Sequence, residues 1–308
     1  MKCGATTYRA KGFEPLSRDG RLVNAMSVDV EDYFQVQALS GAISREDWDQ
    51  QPRRVEVNTN RILDQFERHG VKATFFTLGW VAERHPTLVR RIVADGHELA
   101  SHGSEHRRAD DQTPETFRQD IRRSKMVLED IGGVSVCGYR APTFSIGDRN
   151  LWAVRILSEE GYAYSSSVYP MKRDYYGMPS APRFAFFPLQ GQPLEEYPIT
   201  TVRLAGRNLP GGGGGFFRLL PYVLSRAAIN RINRSDQQPA IFYFHPWEID
   251  PSQPRISPLG FKSRFRHYLN LHKTADRLER LLTDFAWSRM DRVFRPGIET
   301  WGGKSHGH

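Results

Sequence analysis

Short apolar runs alternate with amphipathic segments along most of the chain. Buried strands are predicted at 22–28, 72–78, 97–101, 136–139, 162–166 and 240–244. The segments between them carry apolar residues at helical spacing and predict helices at 58–69, 82–94, 114–131 and 151–160. Gly70 and Gly96 follow the first two of these helices and fit helix C-caps. Repeated strand–helix units predict an α/β fold with parallel strands inside and helices outside.

Several segments depart from this alternation. Residues 167–202 are rich in Pro, Tyr and Arg and predict irregular or antiparallel insertions. The glycine run at 211–215 lacks the Lys-Ser/Thr of a phosphate-binding loop, so we expect a flexible lid or a close backbone approach to substrate. Residues 261–285 predict one helix. We expect flexible tails at 1–22 and 291–308, and between them one domain, 23–290, that includes a helical extension over 251–290.

Polar side chains follow the predicted strands at the point where each strand ends. They are Asp29, Glu31 and Asp32 after the first strand, and His102, Arg140 and His245 after later ones. The carboxyl ends of parallel strands meet at one edge of a barrel, where loops converge on one pocket. The sequence therefore predicts that these side chains share an active site.

His102 and His106 are four residues apart, so both imidazoles can meet one ion if a helical turn begins at His102. Two histidines and a carboxylate with open coordination positions form a standard catalytic metal arrangement. Three acids within four residues repel one another unless a cation compensates, so we expect one to bind the metal and another to act as a base. Strand geometry leaves the choice between Glu31 and Asp32 open.

Hydrophobic residues make up 39% of the chain, enough for a sizeable core, and the net charge is +8. Much of the basic excess lies in the C-terminal third, at Arg255, Lys262, Arg264, Arg266, Lys273, Arg277 and Arg280. No nucleic-acid-binding motif accompanies this charge, so we expect no nucleic-acid partner. A solvated helical face is the simplest explanation, and peripheral contact with an anionic membrane is the alternative.

Cysteine content and hydropathy bear on the compartment. The two cysteines, Cys3 and Cys137, do not suggest a disulfide framework. The N-terminal residues lack the apolar core of a signal peptide, and no stretch approaches the length of a membrane span. The sequence therefore favours a cytoplasmic setting, with membrane association as an option.

The order of these motifs resembles the polysaccharide deacetylase (NodB-homology) family. The resemblance rests on Ser27 to Asp32, Ala73 to Phe76, Gly96 to His102 with His106, Tyr139 to Pro142, and Phe244 to Pro246. Within the family the chain resembles the branch encoded with exosortase-linked exopolysaccharide loci, through Gly211 to Pro221 and His245 to Asp250. The resemblance covers about residues 24–290.

This resemblance implies a distorted (β/α)7 barrel that removes N-acetyl groups from an amino-sugar polysaccharide or its lipid-linked precursor. It implies one divalent ion, commonly zinc, with cobalt, nickel or manganese as alternatives. It matches Asp29 to the general base, Arg140 to the residue that orients the base, and His245 to the general acid. The metal residues matched are His102 and His106.

The chain departs from the family pattern at two positions. Val30 occupies the place of the usual metal aspartate, so the third ligand moves to Asp32 as first choice or Glu31 as the alternative. Ser165 stands where relatives often have aspartate, which weakens a secondary contact. Pro142, Phe144 and Trp247 are the predicted substrate contacts.

Two other functions fit the same barrel. One is an allantoinase-like hydrolase of another C–N bond, and the other is a glycan-binding protein without catalysis. The second fits poorly with the full set of predicted catalytic and metal residues. Release of acetate from a polymer would separate the deacetylase from both.

Overall fold

The computed structural model describes residues 8–173, 176–257 and 259–295. Parallel strands form the central sheet: β1 (Arg21–Val30), β2 (Thr74–Thr77), β3 (Glu98–Ser101), β4 (Gly138–Tyr139), β5 (Tyr164–Ser165), β6 (Glu195–Glu196) and β7 (Ile241–Phe244). They pair in the order β6-β5-β4-β3-β2-β1-β7. The chain therefore runs round the sheet in sequence order from β1 to β6, and β7 returns to pair with β1, as a barrel requires.

Helices connect and cover these strands. They are α1 (Val55–Arg68), α2 (Gly79–Arg84), α3 (Pro86–Ala94), α4 (Pro114–Gly132), α5 (Trp152–Glu159), α6 (Gly215–Leu219), α7 (Tyr222–Arg231), α8 (Phe261–Tyr268), α9 (Leu271–Asp284) and α10 (Met290–Phe294). The apolar positions of α1 that gave the helical spacing, Ile62, Leu63 and Phe66, are all fully buried. Among the described residues, none of the helices combines the length and apolar composition needed to cross a bilayer.

Two predicted helices are each divided in the structure. Pro86 has no amide hydrogen to continue a helix, so the chain ends α2 at Arg84 and starts α3 at Pro86. The helix predicted over 261–285 breaks between α8 and α9, where Asn270 adopts a left-handed φ of 53°. A left-handed residue cannot continue a right-handed helix, so α8 is free to take its own direction.

The glycine run closes the barrel between β6 and β7. On one side Gly211 donates its backbone N–H to the carbonyl of Thr200, and on the other Gly214 donates to the carbonyl of Tyr243 in β7. A Cβ on Gly213 would lie 2.1 Å from that carbonyl oxygen. The close backbone approach that we expected is thus made to a strand and not to substrate, and the run is not a lid.

The tail predicted over 1–22 differs from the structure from residue 8 onward. Arg9–Ala10 pairs with Phe186–Phe187, and Ser17–Arg18 forms a hairpin with β1. Lys11 fixes this segment, because its Nζ donates to the Phe294 carbonyl at 2.8 Å. The tail predicted over 291–308 begins inside α10, and residues 296–308 and Cys3 lie outside the described residues.

The predicted antiparallel insertion is present after β5. Phe186–Phe187 pairs antiparallel with β6, and Thr201–Leu204 forms a hairpin with Arg207–Pro210. A last short strand, Ala286–Ser288, pairs parallel with the start of β1. Phe186–Phe187 thus extends one edge of the sheet, the hairpin forms a separate two-stranded sheet, and Ala286–Ser288 lies beside the start of β1. The carboxyl ends of the central strands are left open to one cavity.

Candidate active site

Strand β1 brings two carboxylates to the cavity at the carboxyl end of the barrel. Asp29 lies in the strand, Glu31 lies just after it, and both side chains line the cavity with only 2% of their surface exposed. The chain turns directly after the strand, because the N–H of Glu31 donates to the carbonyl of Asp29 at 3.0 Å. Alternation along β1 gives these two residues the same direction.

Glu31, His102 and His106 form a buried cluster that is suited to a cation. Their ligand atoms all lie within 4.8 Å of one another. Glu31 Oε2 lies 2.7 Å from His106 Nε2, yet this buried oxygen accepts no hydrogen bond. Two ligand atoms that approach without hydrogen bonding are placed to share an ion. One carboxylate oxygen and two imidazole nitrogens are a donor set that zinc commonly accepts in catalytic sites.

Hydrogen bonding and burial prepare this cluster for a metal. The Nδ1 of His102 contacts the Arg140 carbonyl at 2.8 Å, which makes Nδ1 the donor and leaves Nε2 as a lone-pair acceptor. Burial lowers the pKa of His102 to about 4, so this imidazole is neutral at pH 7. Burial alone raises the pKa of Glu31, but the neighbouring histidines His106, His245 and His102 outweigh it and lower that pKa to about 2.

The two histidines meet on an irregular loop and not on the helical turn that the spacing suggested. Gly103 has a φ of 79° and His106 a φ of 52°, neither of which is helical. The start of α2 holds the loop, because the N–H of Gly79 donates to the Gly103 carbonyl at 2.9 Å. Arg45 adds a hydrogen bond from Nη2 to the His106 carbonyl at 3.2 Å.

Asp32, the first choice for the third ligand, does not join this cluster. Its carboxylate accepts backbone N–H groups from Tyr33 at 2.9 Å, Arg54 at 2.6 Å and Val55 at 2.9 Å. The side chain of Gln35 accepts the N–H of Asp32 in return, which completes a capping box at a short 3-10 helix. Asp32 thus joins the turn after β1 to the start of α1, and Glu31 takes the position beside the histidines.

Arg140 fixes the carboxylate of Asp29 through a buried ion pair. The guanidinium is fully buried, and its Nη1 donates to Asp29 Oδ1 at 2.6 Å and to Ser27 Oγ at 2.9 Å. The Nη2 of the same guanidinium donates to Ser166 Oγ at 3.0 Å. Since the backbone carbonyl of Arg140 also orients His102, one residue sets the direction of both the candidate base and a candidate metal ligand.

His245 lines the same cavity as Asp29 and Glu31. Its Nε2 lies 3.5 Å from Glu31 Oε1 and 3.8 Å from Asp29 Oδ2. Its Nδ1 faces Glu248 Oε2 at 3.6 Å, which is an ion-pair contact and too long for a hydrogen bond. Burial alone lowers the pKa of His245, but Glu31, Glu248 and Asp29 outweigh it and raise that pKa to about 9.

Sequence reasoning missed two residues behind His245. Glu248 is buried, and its Oε1 accepts from Arg218 Nε at 3.0 Å. Arg218 is also buried and donates to the carbonyls of His267 and Leu269 at 2.9 Å. Arg218 belongs to the motif at 211–221 and Glu248 to the motif at 245–250, but 30 residues separate them in the chain, so only the fold reveals the pair.

Two of the three predicted substrate contacts line the cavity and the third does not. Trp247 and Phe144 line the cavity, whose volume is about 190 Å³, together with Tyr176 and Tyr243. Trp247 is fixed, because its ring stacks on His245 at 5.3 Å and on His267 at 4.4 Å. Pro142 is not in the cavity wall and begins the buried turn Pro142–Phe144.

Ser165 keeps a contact inside the barrel despite its departure from the family pattern. Its Oγ donates to Ser167 Oγ at 2.8 Å, and Ser167 Oγ accepts the N–H of Ala141 at 2.8 Å. This chain of bonds supports the residue that follows Arg140.

Comparisons with known proteins relate two segments of the chain to family models. Residues 47–164 match the family model for polysaccharide deacetylase, and residues 166–295 match a domain of unknown function, DUF3473. A peptidoglycan-N-acetylglucosamine deacetylase of Bacillus cereus is 34% identical over 96 residues, which are 31% of this chain and 35% of the relative. A chitooligosaccharide deacetylase of Bradyrhizobium is 27% identical over 36% of this chain and 48% of the relative. The chain thus spans less than half the length of these curated relatives.

Solved structures share the fold at low sequence identity. A polysaccharide deacetylase structure from Mycobacterium smegmatis superposes with a TM-score of 0.59 at 19% identity, covering 93% of this chain and 94% of the other. The Puue allantoinase gives a TM-score of 0.56 at 17% identity and 88% coverage of both chains. These likenesses confirm the predicted distorted (β/α)7 barrel. Residues 47–164 thus resemble the polysaccharide deacetylase family, and residues 166–295, which complete the barrel, match a domain of unknown function.

Proposed function

We propose that this protein is a metal-dependent N-deacetylase of an N-acetylated glycan. The observation that carries the proposal is one cavity that holds a cation site, a paired carboxylate and a histidine. The cation site consists of Glu31, His102 and His106. The paired carboxylate is Asp29, which forms an ion pair with Arg140, and the histidine is His245. The curated relatives named above are deacetylases of amino sugars, which supports the same chemistry.

The proposed metal ligands are Glu31, His102 and His106, which moves the third ligand from Asp32 to Glu31. Zinc suits the two imidazoles and one carboxylate, with cobalt, nickel or manganese as substitutes. A divalent ion in this site would polarise the acetyl carbonyl and acidify a water molecule. All other steps of the reaction fall to side chains of this chain.

Asp29 accepts the proton of the attacking water, because Arg140 aims its carboxylate into the cavity and Ser27 and Ser166 fix Arg140. Attack on the carbonyl carbon gives a tetrahedral species. His245, with its Nε2 facing Asp29 and Glu31, gives a proton to the amine as the C–N bond breaks. The products are acetate and a free amino sugar.

The aromatic wall of Phe144, Tyr176, Tyr243 and Trp247 supplies apolar faces for a sugar ring. The small cavity fits one acetamido sugar at the metal, with the remainder of the glycan outside. We further propose that the substrate is an exopolysaccharide or its lipid-linked precursor, on the strength of the glycine-run and His-Pro-Trp-Glu motifs.

The decisive experiment is acetate release by the purified protein from N-acetylated oligosaccharides, before and after a chelator. We expect activity to be lost with the chelator and restored by zinc. Acetate release that the chelator does not change would contradict the metal scheme. Activity on allantoin without acetate release from any glycan would instead favour the allantoinase-like alternative.

Glu248 provides a test of how His245 is kept protonated. In the metal-loaded protein Glu31 would share its charge with the ion, so Glu248 and Asp29 are the carboxylates that remain to hold the pKa of His245 above its usual range. A group with a raised pKa is protonated up to that pKa and loses its proton as pH rises through it. Glu248→Gln removes the negative charge, so we expect the alkaline fall in kcat to move to lower pH.

Glu196→Gln is the matched control for this prediction. Glu196 is another fully buried carboxylate of the barrel, but it accepts backbone N–H groups of Ser167 and Val168 and does not contact His245. For Glu196→Gln, the alkaline fall in kcat should stay at the same pH as in the wild type, even if the variant is less stable. Equal shifts in both variants would show that general destabilisation, not loss of the Glu248 charge, moves the profile.

A further inference from the structure

Helix α8 exposes two aromatic side chains on one face. Phe261 is 85% exposed and Phe265 is 47% exposed. They are four residues apart, so they lie on the same side of the helix, and their rings stack at 6.4 Å with 19° between their planes. Soluble proteins seldom leave a pair of large rings in water, and such exposure marks an interaction surface.

Positive charge surrounds these rings. Residues 251–275 contain five Lys or Arg residues and no Asp or Glu. Of these, Lys262, Arg264 and Arg266 lie on α8 itself and are exposed, and the first two lie between the phenylalanines in the sequence. We call Phe261, Lys262, Arg264 and Phe265 the α8 face. Exposed aromatics among basic residues are the composition of helices that lie in a lipid headgroup layer.

The opposite side of α8 is fixed to the candidate active site. His267 is 1% exposed and stacks on Trp247, which in turn stacks on His245. Arg218 donates to the carbonyls of Arg266 and His267 at 2.9 Å and so holds the end of the helix. The α8 face is therefore carried beside the catalytic cavity on a rigid base.

We propose that the α8 face docks the protein peripherally on an anionic membrane surface. Phe261 and Phe265 enter the headgroup layer, and Lys262 and Arg264 contact lipid phosphates. Charge selects this occupant over a second copy of the chain, because two α8 faces would bring like charges together. The docking places the cavity near glycans that a membrane carries, a consequence that rests on the proposed function.

The test is co-sedimentation of the full chain with vesicles, without any sugar substrate. We expect binding to phosphatidylcholine vesicles that contain phosphatidylglycerol, weaker binding at high salt, and little binding to phosphatidylcholine alone. The double variant Phe261→Ser/Phe265→Ser should lower the partition coefficient by about tenfold or more. Both side chains are exposed, so folding should be preserved, which circular dichroism can check.

Met126→Ser is the matched control. Met126 is 63% exposed on α4, whose helix neighbours are α2, α3 and α5, so its loss should leave vesicle binding unchanged. Equal binding to neutral and anionic vesicles would overturn the proposal. So would a dimer that the double variant dissociates, or a raised KM for a soluble glycan with unchanged vesicle binding. Failure of deacetylation would not affect this result, because the assay contains no substrate.

Discussion

Replacing Glu31 by alanine is expected to remove the bound metal and the deacetylase activity together. Glu31 supplies the only carboxylate oxygen among the described residues that lies with His102 and His106. Loss of residues that merely orient metal ligands costs about 10- to 100-fold in affinity, so the loss of a ligand should exceed about 100-fold. Metal content after dialysis, measured by mass spectrometry, and acetate release would be determined on the same preparation.

Asp32→Asn is the matched variant, because Asp32 is adjacent in sequence and equally buried. It should keep the metal, since its carboxylate bonds to the backbone of Tyr33, Arg54 and Val55. An asparagine amide cannot accept all three N–H groups, so the free energy of unfolding should fall by about 1–3 kcal/mol. Loss of metal from Asp32→Asn, with metal retained in Glu31→Ala, would return the third ligand to Asp32.

Asp29→Asn should lower kcat by about 10²- to 10⁴-fold, the usual contribution of a general base. Asparagine has nearly the same shape but cannot take a proton from water. Asp29 is not one of the cluster residues Glu31, His102 and His106, so the metal content of the variant should stay at the wild-type level. Substrate affinity should change little, because the loss falls on the chemical step.

Arg140 complicates this variant and supplies a check. Its buried guanidinium loses its counter-charge when Asp29 is neutral, so some loss of stability is expected. Thermal unfolding would show whether the protein remains folded at the assay temperature. A folded, metal-loaded Asp29→Asn protein that retains activity within tenfold would exclude Asp29 as the base.

The sequence predicts the barrel well because its strands are buried on both faces. Such strands appear as unbroken apolar runs, and the polar residue that ends each run is visible, as at His102 and His245. Asp29, His102, Arg140 and His245 all lie where strand ends were predicted, and His106 lies on the loop that follows His102. These features depend on local pattern and on the meeting of strand ends at one edge.

The choice between Glu31 and Asp32 depends on where β1 ends, within one residue. The strand continues to Val30 and the chain then turns, so Glu31 faces the cavity and Asp32 caps the next turn. A capping-box pattern was present in Asp32 and Gln35 and is the signal that could have identified the cap. The Arg218–Glu248 pair had no such local signal, because 30 residues separate the two in the sequence and only the fold brings them into contact.

The pairing of β1 with β7 has a consequence for how the site comes into existence. Ser27 is level with Tyr243 and Val28 with Phe244, so Asp29 and His245 become neighbours only when the first and last parallel strands join. His102 and His106 belong to the first matched segment and His245 to the second, while Asp29 precedes both. During synthesis, a nascent chain that ends before residue 245 cannot bring the proposed base Asp29 and the proposed acid His245 together. Division of the gene at the boundary between the two matched segments should likewise give two halves that are inert apart and regain activity only by reassembling.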